Sequence, residues 1–164
     1  MSNLFKNLPI GKSDSRETLT QQLQFLGQMV NTEIAFFHQV TATKNGLSIT
    51  DSKTISILIQ EGPKTAGELA KRLSLTTGAV TSVMDRLEKA GFIKRVSDPD
   101  DRRKVIVEIN QSKLKKLGKP YESVSVAFHK LVANYSIKEL KFLVGFYKSS
   151  IEITRAEIEK LSNS

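Results

Sequence analysis

Between Thr50 and Ile109 the spacing of apolar residues passes from the period of a helix to the period of a strand, in short units closed by capping and turn residues. That change restricts the fold more than any other feature of the chain. After Thr50, a run beginning Asp51-Ser52-Lys53 and apolar through Ile59 is stopped by Gly62-Pro63. Thr65 then stands where a helix cap belongs, with Glu68 three residues on to complete a capping box and Leu69, Ala70 and Leu73 behind it. Thr76 or Thr77 opens a third helix, whose Val80, Val83, Met84 and Leu87 share a face and whose end is set by Gly91. From Phe92 the period shortens. Phe92-Ile93-Lys94-Arg95-Val96 reads as one strand and Lys104 to Ile109 as another, with Val105, Val107 and Ile109 on one side. The polar stretch Ser97 to Arg103 between them has turn chemistry and makes the pair a hairpin with a charged tip.

Long helical patterns flank this core. Residues 1–15 are polar and mixed and read as a flexible N-terminal arm. Residues 16–48 hold an N-terminal helix running from Arg16 to about Lys44, with Leu23, Leu26, Val30, Phe37 and Val40 at helical spacing. Asn45-Gly46 ends it in the manner of a left-handed cap. Residues 111–164 return to steps of three and four, through Leu114, Leu117, Tyr121, Val124, Phe128, Leu131 and Tyr135. The second stripe follows through Ile137, Leu140, Val144, Tyr147, Ile151, Thr154, Ile158 and Leu161. Pro120 predicts a kink in the first of these helices, and Ser136 a cap for the second. The fold class is therefore mainly α with a small β-hairpin wing. A winged helix-turn-helix over residues 50–110 is joined to helices that need a partner for their apolar stripe.

Composition narrows the function. The net charge is +8 and the isoelectric point about 9.7, which favours polyanionic partners. With no cysteine, disulfides, thiolate metal sites and thiol redox sensing are excluded. No apolar run has the length of a signal peptide or a membrane span, so no membrane partner is expected and the cytoplasm is the expected location.

In a winged helix-turn-helix the third helix enters the major groove and the hairpin reaches the backbone or the adjacent minor groove. Here the third helix presents Thr77, Gly78, Ala79, Thr81, Ser82 and Arg86 away from its buried face. Small and hydroxyl side chains let a helix lie deep in a groove, where they meet phosphates, base edges and thymine methyl groups. The hairpin gathers Arg95, Arg102, Arg103 and Lys104 among Asp98, Asp100 and Asp101. A carboxylate beside a guanidinium holds it planar and aimed. An arginine at a hairpin tip suits the negative potential of a narrow minor groove.

The run Gly78-Ala79-Val80-Thr81-Ser82-Val83-Met84-Asp85-Arg86-Leu87-Glu88-Lys89-Ala90-Gly91-Phe92-Ile93-Lys94-Arg95 resembles the recognition helix and first wing strand of MarR-family regulators. Asp98-Pro99-Asp100-Asp101-Arg102-Arg103, then Val105 and Val107, resembles that family's wing signature, and Thr65-Ala66-Gly67-Glu68-Leu69-Ala70 its second DNA-domain helix. The resemblance implies a DNA-binding transcriptional regulator, expected to be a repressor, that is not an enzyme. It implies that Arg103 reaches the minor groove with Asp101 positioning it, while Thr76, Thr77, Gly78, Thr81, Ser82 and Arg86 face the major groove. Many members carry an arginine where this chain has Ser82, so base contacts are expected to be shorter there or to rely more on Arg86. The first, fifth and sixth helices are expected to intertwine into a homodimer on double-stranded DNA, through Ile137, Leu140, Val144, Tyr147, Ile151 and Ile158. The expected operator is an inverted repeat with half-sites one turn, about 34–36 Å, apart. No cofactor is expected. A small aromatic or phenolic effector is, with Phe36, Phe37, Tyr121 and Phe128 as candidate lining.

Two other classes compete. An enzyme has little to use, since the chain has two histidines, His38 and His129, and no glycine-rich phosphate loop. A metal site from Glu33, His38 and His129 lacks a ligand spacing such as H-x-x-x-H, and no metal is expected. A helical protein that only mimics a regulator's dimer would have no use for displaying Arg86, Arg102 and Arg103 together. Ionic strength separates it from a DNA binder, since six to ten phosphate contacts lose about 10³–10⁵ in affinity between 50 and 200 mM salt.

Overall fold

The computed structural model describes residues 5, 7, 8 and 15–162, and at residues 116–119 the backbone alone. The expected arm over residues 1–15 lies almost wholly outside the described residues, as does the side chain of Leu117. The chain forms two compact units, Met1–Leu117 and Gly118–Ser164.

In the first unit, α1 spans Arg16–Lys44. The Thr18 N–H donates to the Ser15 hydroxyl at its start, and Glu17 sits in the first turn near the positive end of the helix dipole. Its end is the expected left-handed cap. Gly46 has φ +66°, and the N–H groups of Gly46 and Leu47 donate back to the carbonyls of Thr43 and Ala42.

Helix α2 spans Ile49–Glu61 and corrects one expectation. It begins ahead of Thr50, because Ser48 and Asp51 form a reciprocal capping box. The N–H of Asp51 donates to the Ser48 hydroxyl, and the N–H of Ser48 to the Asp51 carboxylate. Helix α3, Ala66–Leu73, follows with the expected Thr65–Glu68 box. Helix α4, Thr77–Lys89, is capped by Thr76 rather than Thr77. Between α3 and α4, Ser74 takes the left-handed conformation with φ 54°. Gly91, with φ +77°, closes α4, and the Phe92 N–H donates to the Leu87 carbonyl. This turn delivers Phe92 into the core against the helix it leaves.

Three strands complete the unit: β1 Lys64–Thr65, β2 Ile93–Ser97 and β3 Val105–Ile109. They form an antiparallel sheet in the order β1-β3-β2, with Arg95 opposite Val107 and Ser97 opposite Val105. Strand β1 escapes sequence reading, since two residues carry no alternation. The expected apolar side of β3 is shared by Val105, Val107 and Ile109, but burial is uneven along it. Val107 is fully buried, Ile109 half-buried and Val105 exposed. The correction has a simple cause. The helices lie beneath the base of the hairpin, and Val105 has already passed beyond them toward the tip.

Leu69, Val80, Leu87 and Val107 are the largest apolar side chains fully withdrawn from solvent. Ile55, Leu58, Val83, Met84, Phe92 and Ile93 pack around them. Each such side chain contributes about 1.5–3 kcal/mol by leaving water. All four residues expected on the buried face of α4 are in this core, which fixes the opposite face outward.

Helix α5, Gln111–Val132, holds Pro120 within it, and the boundary between the two units falls inside it, at Leu117 and Gly118. In the second unit, α6 spans Ile137–Ser162. Ser136 and Glu139 build the expected cap, with the Glu139 N–H donating to the Ser136 hydroxyl and the Ser136 N–H to the Glu139 carboxylate. No residue of α6 is buried in the single chain. Among the described residues, no helix is long and apolar enough to cross a membrane.

Candidate nucleic-acid interface

The face of α4 opposite the core carries Thr77, Gly78, Thr81, Ser82 and Asp85, all exposed, with Thr76 exposed at its cap. Their chemistry is modest and specific. The Thr81 hydroxyl donates to the Thr77 carbonyl at 2.9 Å and the Ser82 hydroxyl to the Gly78 carbonyl at 3.1 Å. Each therefore turns acceptor lone pairs outward, and Thr81 adds a methyl group. A Cβ built on Gly78 would meet no atom within 4 Å. The fold itself leaves that space open to whatever approaches from outside.

Arg86 stands at the flank of this face. Its guanidinium donates to Asp51 at 2.9 Å, so the expected groove residue is also a strut between α4 and the start of α2. The two partners differ in exposure, 54% for the Arg86 side chain and 6% for that of Asp51. Burial opposes ionisation of Asp51, but the Ser48 bonds and the Arg86 guanidinium outweigh it and hold the carboxyl below its ordinary value.

The hairpin tip is ordered by Asp101. The N–H of Lys104 donates to the Asp101 carbonyl and that of Asp98 to the Lys104 carbonyl, which close the loop. Arg103 Nε and Nη2 donate to the two Asp101 carboxylate oxygens at 3.1 and 3.4 Å, and the Arg103 N–H donates to the first of them. Those Arg103 bonds hold the Asp101 carboxyl below its ordinary value. Yet the Arg103 side chain remains 91% exposed. The guanidinium is aimed from behind and open in front. Arg102 is exposed beside it.

Arg95 departs from the expected basic cluster. It lies in the middle of β2, half-buried, where its guanidinium donates to Asp85 at 2.5 Å and also to Glu88, both on α4. Sequence reading missed Asp51, Asp85 and Glu88 as parts of this site. The signals were present, as Ser48-x-x-Asp51 and as two carboxylates three residues apart on the helix before a basic strand.

The other expected residues fall as follows. Phe36 is exposed and Phe37 half-buried on α1, while Tyr121 and Phe128 are exposed two turns apart on α5. None of the four lines the open cavity of about 540 Å³ bounded by Leu58, Ile59, Pro63, Ile109 and the Lys94–Glu108 ion pair. Ile137, Val144, Tyr147, Ile151 and Ile158 form an exposed stripe on α6, with Leu140 half-exposed among them. Ring contact pairs His38 with Phe37, and the His129 ring meets the Ser125 carbonyl. Among the described residues, no three metal-ligating side chains gather.

A helix of small residues set over a packed three-helix core, with an arginine-tipped hairpin beside it, defines a winged helix-turn-helix DNA-binding protein. The MarR family profile matches residues 47–105. The HTH-type transcriptional regulator YcgE of Bacillus subtilis is 36% identical over 148 residues, covering 90% of this chain and 96% of its own. The chain belongs to the MarR family and is a DNA-binding transcriptional regulator, not an enzyme. The fold agrees. A MarR family protein from Bacillus stearothermophilus superposes with TM-score 0.62 at 20% identity, over 85% of this chain and 99% of that one. A MepR mutant from a multidrug-resistant S. aureus isolate gives 0.66 at 19%, over 80% and 96%.

Proposed function

We propose that the protein is a homodimeric repressor, acting in the cytoplasm, that occludes promoter DNA by binding an inverted repeat and is released by a small aromatic or phenolic effector. The observation that carries the dimer is α6, a helix of 26 residues with none buried and an apolar stripe of Ile137, Val144, Tyr147, Ile151 and Ile158 in water. A stripe of that length needs cover, and a second copy supplies one that matches it. Two-fold symmetry then presents two copies of α4 to successive major grooves, about 34–36 Å apart. Each wing follows with Arg103 toward the minor groove. An effector acts if it prefers one separation of the two reading helices over the other. Phe36 and Phe37 on α1 and Tyr121 and Phe128 on α5 are its candidate contacts, to be replaced singly.

Selection of bound duplexes from a random pool tests this reading. A palindrome with half-site centres one helical turn apart is the expected product, from protein that sediments as a dimer. Enrichment of a single unrepeated half-site by a monomer would reject the dimeric mechanism.

A further inference from the structure

We infer that Arg95 is a positioning residue for DNA binding, fixing the wing against the reading helix so that Arg103 and α4 engage one duplex in a set register. The inference rests on the DNA-binding reading above and goes beyond it in naming what couples its two halves.

Arg95 ties β2 to α4 through both its side chain and its backbone. The Arg95 guanidinium spans Asp85 and Glu88, two carboxylates on successive turns of α4. The Arg95 main-chain N–H donates to the other oxygen of Glu88 at 3.1 Å, so one carboxylate grips both the backbone and the side chain of the same strand residue. Arg95 is also central in β2, opposite Val107, the one fully buried residue of β3. A pull at Arg95 therefore moves the whole hairpin relative to α4. The Asp85 and Glu88 carboxylates, against some loss of hydration, raise its proton affinity above the ordinary value.

The geometry also has an electrostatic use. Asp85 lies on the exposed face with Gly78, Thr81 and Ser82, where an unpaired carboxylate would meet phosphate oxygens. Arg95 neutralises it from the side of the wing and leaves the face open. Two planar carboxylates three residues apart match the fork of an arginine and not the single ammonium of a lysine.

The test is a double-mutant cycle on the full-length protein with a selected duplex. Wild type, R103A, R95M and the double variant are compared, with helical content and melting checked for each and R95K as a second, milder variant. In the wild-type background, Arg103→Ala is expected to weaken binding about 5- to 150-fold, as for a direct groove contact. In R95M the same change is expected to matter far less, because an unfastened wing no longer delivers Arg103 to its groove. R95K, which keeps the charge and loses the span, is expected to fall between. Equal effects of Arg103→Ala in both backgrounds, including no effect in either, overturn the proposal even if R95M itself binds poorly. Failure of the wild type to bind any duplex rejects the DNA reading instead, and is recognisable as such.

Discussion

The pair Arg86–Asp51 offers the sharpest test of how the reading helix is held. Replacing Asp51 with alanine removes two things at once: the acceptor for the Arg86 guanidinium and the half of the α2 capping box that receives the Ser48 N–H. The cap is worth about 0.5–1 kcal/mol, half of a typical reciprocal box. The ion pair falls between two limits. Exposed pairs contribute about 0–1 kcal/mol, whereas breaking a buried pair costs about 3–5 kcal/mol. With one partner 6% exposed and the other 54%, about 1–2 kcal/mol is the consistent value. Asp51→Ala should therefore destabilise by about 1.5–3 kcal/mol, or about 3–12 °C in melting temperature for a chain of this size.

The cycle with Arg86→Ala isolates the pair. Arg86→Ala leaves Asp51 its Ser48 bonds, so it should cost less than Asp51→Ala, and the double variant should fall short of the sum by about 1–2 kcal/mol. Urea unfolding at one fixed protein concentration is the assay, because association makes the midpoint concentration-dependent. Effects that add within about 0.3–0.5 kcal/mol would show no coupling and refute the strut.

Acid should weaken the first unit in a defined direction. The Asp51 carboxyl sits below its ordinary 3.8, so the unfolded chain takes its proton first. The stabilisation is whole above about pH 4 and is lost as pH falls through the folded value; Asp51→Asn should flatten that part of a pH series of unfolding midpoints. Ser74→Gly should raise stability by about 0.5–1 kcal/mol in the same assay, since a left-handed serine carries a steric cost that glycine lacks. Gly78→Ala should stabilise α4 by up to about 1 kcal/mol, yet weaken duplex binding in a fluorescence titration, because its new methyl group meets only the incoming DNA. Asp101→Ala should lower affinity for a selected duplex about 2- to 12-fold, the value of one side chain left to be immobilised on binding, while affinity for random duplex rises with the added positive charge.

Much of this was legible from residues whose chemistry is local. Thr65 with Glu68, Ser136 with Glu139, and Gly46 and Gly91 after their helices specify ends by hydrogen bonds within a few positions. Val80, Val83, Met84 and Leu87 specify a face by periodicity. The errors come from features set at long range. Strand β1 exists only because β3 offers it partners at Ile106 and Val107. Val105 keeps its side of the strand and loses its burial because the core ends before it does. The ion pairs of Arg86 and Arg95 escape sequence reading because their carboxylates lie 35 residues before one and on the neighbouring helix for the other. Ser48-x-x-Asp51 was the exception, a local signature passed over for Thr50.

The placement of carboxylates in a chain of charge +8 needs its own explanation. Asp51 meets Arg86, Asp85 and Glu88 meet Arg95, and Asp101 meets Arg103, all at the surface proposed for DNA. As stabilisers the exposed pairs are poor, contributing about 0–1 kcal/mol each, and of the set only Arg86–Asp51, with its buried carboxylate, exceeds that. As DNA contacts, the acids oppose phosphate binding. Their effect must then lie in direction. Each removes rotamer freedom from a long cation before DNA arrives, and a cation already ordered loses less entropy on binding. That trade weakens attraction to any duplex and strengthens discrimination in favour of one whose groove positions fit the fixed guanidinium groups. A regulator that must ignore most of a genome gains more from the second effect than it loses from the first.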